Sequence, residues 1–162
     1  MPHAPLFQAT EILDMAVRIE RNGADFYEAC AEAVSNPAAR EVFKYLVEEE
    51  RRHLELFQVM KQGLETHSLP ESYPGELLAY IKSLVSDRVF DDAQHGREQA
   101  QRIGDHEEAI RFAIEFEEKS ILFYSAVKQV ARESEKHVIE EVIGEEHKHI
   151  LRLIQLRDRL KQ

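Results

Sequence analysis

Two short motifs in this chain carry chemistry, and each is paired with a lone glutamate. The first half has Glu20 and then Glu50-Arg51-Arg52-His53; the second has Glu117 and then Glu146-His147-Lys148-His149. A Glu and a His three residues apart lie on one face of a helix, so a single turn offers both side chains to one point. Four carboxylates and two imidazoles gathered together would suit two divalent cations. The four negative charges would be balanced, and neutral imidazoles would complete the shell. An oxygen-rich set with some imidazole suits iron or manganese better than thiolate-preferring metals.

These residues need helices that turn them inward. Four long helical patterns are expected. The first runs from about Thr10, as N-cap, to Val34. The second starts with Pro37 at its first position and runs to about Gln62, with Gly63 as its stop. The third starts near Asp105, with Glu108 as its capping-box partner, and runs to about Arg132. The fourth runs from about Ser134 almost to the end. Between Gly63 and Gly104 lies a long connection. Pro70, Pro74 and Gly75 break it, residues 76–86 suggest a short amphipathic helix, and residues 87–102 are polar without a clear pattern.

Each lone Glu or Glu-x-x-His interrupts an apolar stripe instead of facing away from it. The stripes read Leu13, Ala16, Val17, Glu20, Gly23, Ala24, Tyr27; Phe43, Leu46, Glu50, His53, Phe57, Met60, Leu64; Ile110, Ala113, Ile114, Glu117, Ile121, Tyr124, Val127; and Ile139, Val142, Ile143, Glu146, His149, Leu153, Leu156. Ionised carboxylates in an apolar core cost several kcal/mol each unless compensated. A single Glu on such a stripe is usually a boundary residue reaching water. Repetition sets these residues apart: the Glu-x-x-His motifs stand 96 residues apart and the lone glutamates 97 apart. Phe26-Tyr27 follows Glu20 at the same distance as Phe123-Tyr124 follows Glu117. Glu20 and Glu50 each lie 15 residues from Ser35, roughly 22 Å along their helices, so they are level across an antiparallel pair. Two helix–turn–helix repeats, about 10–63 and 105–161, would bring all four carboxylates to one height in a single domain spanning 1–162. Tyr27 and Tyr124 are expected to line the site as core residues. Glu48, Glu49, Glu115, Glu118 and Glu145 are expected in solvent, with Glu118 or Glu145 available to assist metal entry. The remaining histidines are expected at the surface.

Composition bounds the rest. The 162 residues are 43% hydrophobic and 32% charged, which fits a helical protein with a sizeable core. No apolar run approaches the roughly 18 residues of a membrane helix, and Met1-Pro2-His3-Ala4-Pro5 does not open a signal peptide, so a cytoplasmic location is expected. The formal net charge of −10 argues against nucleic acid as a partner. One cysteine, Cys30, excludes an internal disulfide and a Cys-x-x-Cys knuckle; it is expected to be a small buried apolar group.

The two motif sets resemble the ferritin-like di-iron carboxylate superfamily, in which two helices give one Glu each and two give Glu-x-x-His. Within it the chain resembles the rubrerythrin type, through Ala16-Val17-Arg18-Ile19-Glu20 to Phe26-Tyr27 and Ala113-Ile114-Glu115-Phe116-Glu117 to Phe123-Tyr124. The resemblance implies an all-α, ferritin-like four-helix bundle whose long crossover, containing a short helix, joins the second and third helices. It implies that Glu20 and Glu117 are terminal ligands, that Glu50 and Glu146 bridge two irons, and that His53 and His149 complete one shell each. Catalysis would pass through these six by way of the metals. The implied cofactor is two iron ions, ferrous or ferric and with or without an oxo bridge, with manganese or zinc as alternatives. The implied activity is reduction of hydrogen peroxide or dioxygen in oxidative-stress defence, with a separate electron donor such as a rubredoxin and a homodimeric assembly. The chain lacks a rubredoxin domain, and Ser120 stands where rubrerythrins usually carry an extra Glu. A ferroxidase or iron-handling role is one alternative; a structural bundle with a vestigial site is another.

Overall fold

The computed structural model describes residues 6–67, 72–74, 79–81, 83–84 and 95–162. Among the described residues, five long or well-bounded helices carry the architecture: α1 (Ala9–Ala33), α2 (Pro37–His67), α3 (His95–Arg102), α4 (His106–Val130) and α5 (Glu133–Leu160). α1 pairs with α2 and α4 with α5, and the two hairpins join through α2 against α5 and α1 against α4. Among the described residues no helix is long and apolar enough to cross a membrane.

Local chemistry explains most of the boundaries. The Asn36 side chain accepts from the Ala39 amide at 3.0 Å, and Pro37 opens α2, where a missing N–H costs nothing. Asp105 caps α4 by accepting from the Glu108 amide at 2.8 Å. The Glu108 carboxylate reaches back to the Gly104 amide, one residue before the cap.

Three features depart from expectation. α2 does not stop at Gly63 but continues to His67; a glycine costs only about 1 kcal/mol inside a helix, and the turn bears that cost. The polar stretch before Gly104 contains α3, which packs on α1. Gly96 allows this approach, since a Cβ there would lie 2.2 Å from the Asn22 carbonyl oxygen and 3.0 Å from the Phe26 nitrogen. Finally, Leu6–Gln8 and Ser72–Pro74 form a small antiparallel ribbon, with Phe7 opposite Tyr73. Pro74 is tolerated there because neither strand has a second neighbour. Of the short helix expected over 76–86, residues 79–81 and 83–84 are helical and Ile81 is fully buried; the remainder lies outside the described residues.

The core falls into two apolar clusters. One gathers Leu13, Ile19, Phe57, Phe116, Phe123, Val127 and Val142. The other gathers Phe26, Cys30, Phe43, Leu46, Ile110, Ala113, Leu153 and Leu156. On α2 and α5, Glu-x-x-His sits between the two stretches. On α1, Glu20 separates Ile19 from Phe26.

Gly96→Ala should therefore push α3 off α1 and destabilise the fold by roughly 1–3 kcal/mol. Gly63→Ala, where nothing lies within 4 Å of the added carbon, should stabilise it by up to about 1 kcal/mol. Chemical denaturation of the two variants would show the opposite signs.

Candidate metal centre

All six side chains singled out by spacing meet in the polar layer between the two clusters. Glu20, Glu50, Glu117 and Glu146 are at most 1% exposed, as are His53 and His149. One set of potential ligand atoms comes from Glu20, Glu50, His53 and Glu146; a second comes from Glu50, Glu117, Glu146 and His149. Within each set the atoms lie within 4.8 Å of one another. Glu50 and Glu146 belong to both sets, so the two sets overlap on a shared pair.

The imidazoles present Nδ1 to this layer. His53 Nδ1 stands 3.1 Å from Glu146 and 3.5 Å from Glu20. His149 Nδ1 stands 3.0 Å from Glu146, 3.5 Å from Glu117 and 3.6 Å from Glu50. The outer nitrogens meet residues expected in solvent. His53 Nε2 lies 2.7 Å from Glu145 Oε2, and His149 Nε2 lies 3.7 Å from Glu49 Oε2. Glu145 is thus a half-buried partner of His53 and Glu49 stands half-buried near His149, which corrects the reading of both as solvated. Glu48, Glu115 and Glu118 are exposed as expected, as are His106, His137 and His147; His3, His67 and His95 lie outside the residues whose side chains are described.

Two tyrosines brace the layer across the repeats. Tyr27, from the first hairpin, donates to Glu117 Oε1 at 2.5 Å. Tyr124, from the second, donates to Glu20 Oε1. Each lone glutamate is held by the other repeat's tyrosine. Burial and the neighbouring carboxylates push both phenols well above their ordinary range, so their hydroxyls stay protonated donors. Ser120 is buried and donates to the Phe116 carbonyl at 3.0 Å, one turn back on its own helix. Its counterpart in the first repeat is Gly23. A Cβ there would meet Glu50 Oε2 at 2.4 Å and the Phe116 ring at 3.0 Å, so the glycine leaves room for the shared carboxylate.

The electrostatics are those of too much negative charge in too dry a place. Burial, then the charges of Glu20, Glu117 and Glu146, raise Glu50 well above the carboxylate range. Burial and Glu146 do the same to Glu117. Burial also acts to raise Glu146, but its close polar contacts with Glu117, His149 and His53 overcome it and hold this carboxylate well below its ordinary value. Burial opposes the charging of His53, but Glu146 and Glu20 outweigh it and raise the ring to about 12. His149 rises to about 10 for the same reason, facing Glu117 and Glu146. Glu20 Oε2, Glu50 Oε1, Glu117 Oε2 and His53 Nδ1 still lack a hydrogen-bond partner. Buried lone pairs left over on four carboxylates, beside two inward imidazole nitrogens, fit a pair of divalent cations.

Without metal, both histidines hold protons above the ordinary value of 6.5. The folded chain then binds more protons than the unfolded one. That stability is fully present below 6.5 and is lost as pH rises toward about 10, by about 1.4 kcal/mol per pH unit for each proton involved. The melting temperature of the metal-stripped protein should therefore fall between pH 6.5 and 10. Metal binding should release protons, measured as a buffer-dependent calorimetric heat. Gly23→Ala should lower divalent-metal affinity more than it lowers stability, because its Cβ displaces Glu50; metal titration beside thermal unfolding separates the two effects.

Residues 11–102, spanning α1 to α3, match the family model described as rubrerythrin. No curated protein matches the chain. Among solved structures, a Thermotoga maritima protein described as ferritin-like and diiron-carboxylate superposes with a TM-score of 0.74 at 23% identity, over 96% of this chain and 98% of that one. That likeness shows the fold to be ferritin-like. The family match covers more than half of the sequence and includes Glu20, Glu50 and His53, so the chain belongs to the rubrerythrin family.

Proposed function

We propose that this chain is a non-haem di-iron protein that reduces hydrogen peroxide or dioxygen. One observation carries the reading: two buried four-residue sets overlap on Glu50 and Glu146. In this reading Glu20 and His53 would hold one ion and Glu117 and His149 the other, with Glu50 and Glu146 available to both. A pair of irons supplies two one-electron changes and a Lewis-acidic point for an oxidant.

The chain's own residues do the remaining work. Tyr27 and Tyr124 keep their protons and hold one oxygen of each terminal carboxylate, leaving the other free to ligate. Glu145 orients the His53 ring through Nε2, so that Nδ1 points inward. The two apolar clusters keep bulk water from the layer. Reduction of one peroxide to two waters consumes two electrons and two protons. The single cysteine of these residues cannot build a four-cysteine iron site, and the electrons would be supplied by a donor such as a rubredoxin.

A second reading, ferrous-ion oxidation and iron handling, is favoured by one feature. Ser120 offers no fifth carboxylate and turns its hydroxyl to its own helix. Anaerobic ferrous titration followed by peroxide or air decides between them. Two irons per chain, lost in Glu50→Ala, with peroxide consumed faster than dioxygen, is the expected result. Faster turnover of ferrous ion with dioxygen would favour iron handling, and an absence of saturable ferrous binding would refute both. Sedimentation adds a further discriminator, since a homodimer leaves no shell of its own in which to store iron.

A further inference from the structure

The two repeats match ligand for ligand, but the contacts behind the ligands do not. His53 Nε2 lies 2.7 Å from Glu145 Oε2. His149 Nε2 is buried without a hydrogen-bond partner, and Glu49 Oε2 is 3.7 Å away. One guanidinium stands between the two carboxylates. Arg52 Nη2 is 2.7 Å from Glu49 Oε2, the oxygen nearest His149, and 3.0 Å from Glu145 Oε2, the oxygen that holds His53. Its shorter contact is with Glu49. The residue that corresponds to Arg52 in the second repeat is Lys148, which is exposed and makes no ion pair among the described residues. The His149 ring instead meets the edge of Tyr45, at 6.3 Å between centroids, with Arg152 over the far ring at 4.0 Å.

We infer that Arg52 makes the two metal positions unequal: the position of Glu20 and His53 fills first, and that of Glu117 and His149 fills last. The inference rests on the di-metal reading proposed above. A histidine whose outer N–H is held by a carboxylate is fixed in orientation and donates more strongly through its inner nitrogen; losing such a partner costs about 10- to 100-fold in metal affinity. His53 has that partner and His149 does not. Each inner nitrogen stands about 3 Å from Glu146. The contrast in outer partners lies behind the rings, where Arg52 acts as a positioning residue.

Titration of the metal-free protein with Co2+, followed by visible absorption and by hyperfine-shifted histidine ring resonances, tests this. Repulsion between two dications separates the binding steps even for equal positions, so the decisive readouts are where the first ion sits and what Arg52 does. At one equivalent, the shifted resonances should come from His53. Glu145→Gln should weaken the first step by roughly 10- to 100-fold, while Glu49→Gln leaves both steps nearly unchanged. Arg52→Gln should free Glu49 for His149 and narrow the gap between the steps. Arg52 is half exposed, and thermal unfolding of the variant checks that it folds. A first ion shared evenly, or seated at His149, overturns the inference while leaving the di-metal reading intact, as does a gap unchanged in Arg52→Gln. An absence of Co2+ binding overturns the reading, and the inference with it.

Discussion

Four glutamates inside a helical core create a charge that must be answered, and much of this structure is arranged around the answer. Each is at most 1% exposed, and a carboxylate stripped of water costs several kcal/mol unless something positive faces it. Without metal the answer is protons: Glu50, Glu117, His53 and His149 are the four groups pushed toward their protonated forms. Four protons carry the charge of two divalent cations, so metal binding at this layer is accompanied by proton release. The glycine beside Glu50 and the two tyrosines serve the same constraint, one by making room and the others by holding the carboxylates apart.

Family membership and fold bear unequally on function. The family match ends at residue 102, so it reaches only the first hairpin and α3. The second half of the layer is connected to it by the internal repeat and by geometry: Glu117, Glu146 and His149 arrive beside Glu50. The likeness to the Thermotoga maritima structure extends over nearly the whole chain but at 23% identity, which speaks for the bundle. The proposed choice of oxidant and the inferred order of metal binding rest on finer features, such as Ser120 and the contacts of Arg52.

The four long helices and the six inward residues were legible because both follow from period. An apolar stripe interrupted at the same place in four helices has few physical explanations, and the Asp105–Glu108 cap is a local signal that needs no tertiary context. What escaped the sequence depends on contacts between distant segments. Glu49 and Glu145 are charged residues on mostly charged helix faces; only the opposite repeat's histidine distinguishes them from Glu48. α3 has too few apolar residues to show a stripe, and its place on α1 depends on Gly96, whose meaning is visible only once Asn22 lies against it. The ribbon of Leu6–Gln8 with Ser72–Pro74 joins segments with no periodic sign of pairing. Gly63 misled because a glycine marks a helix end only when the following residues cannot continue the helix.

The tyrosine bonds bear on how the chain assembles. Tyr27 and Glu117 are 90 residues apart, and Tyr124 and Glu20 are 104 apart. Each hairpin can form from contacts near in sequence, which is fast, yet a lone hairpin presents two glutamates and a histidine with nothing to satisfy them. The polar layer gives no reward until both hairpins dock. The helices thus belong to the early part of folding and the polar layer to its last step, so that a chain able to bind metal is one that has already finished folding.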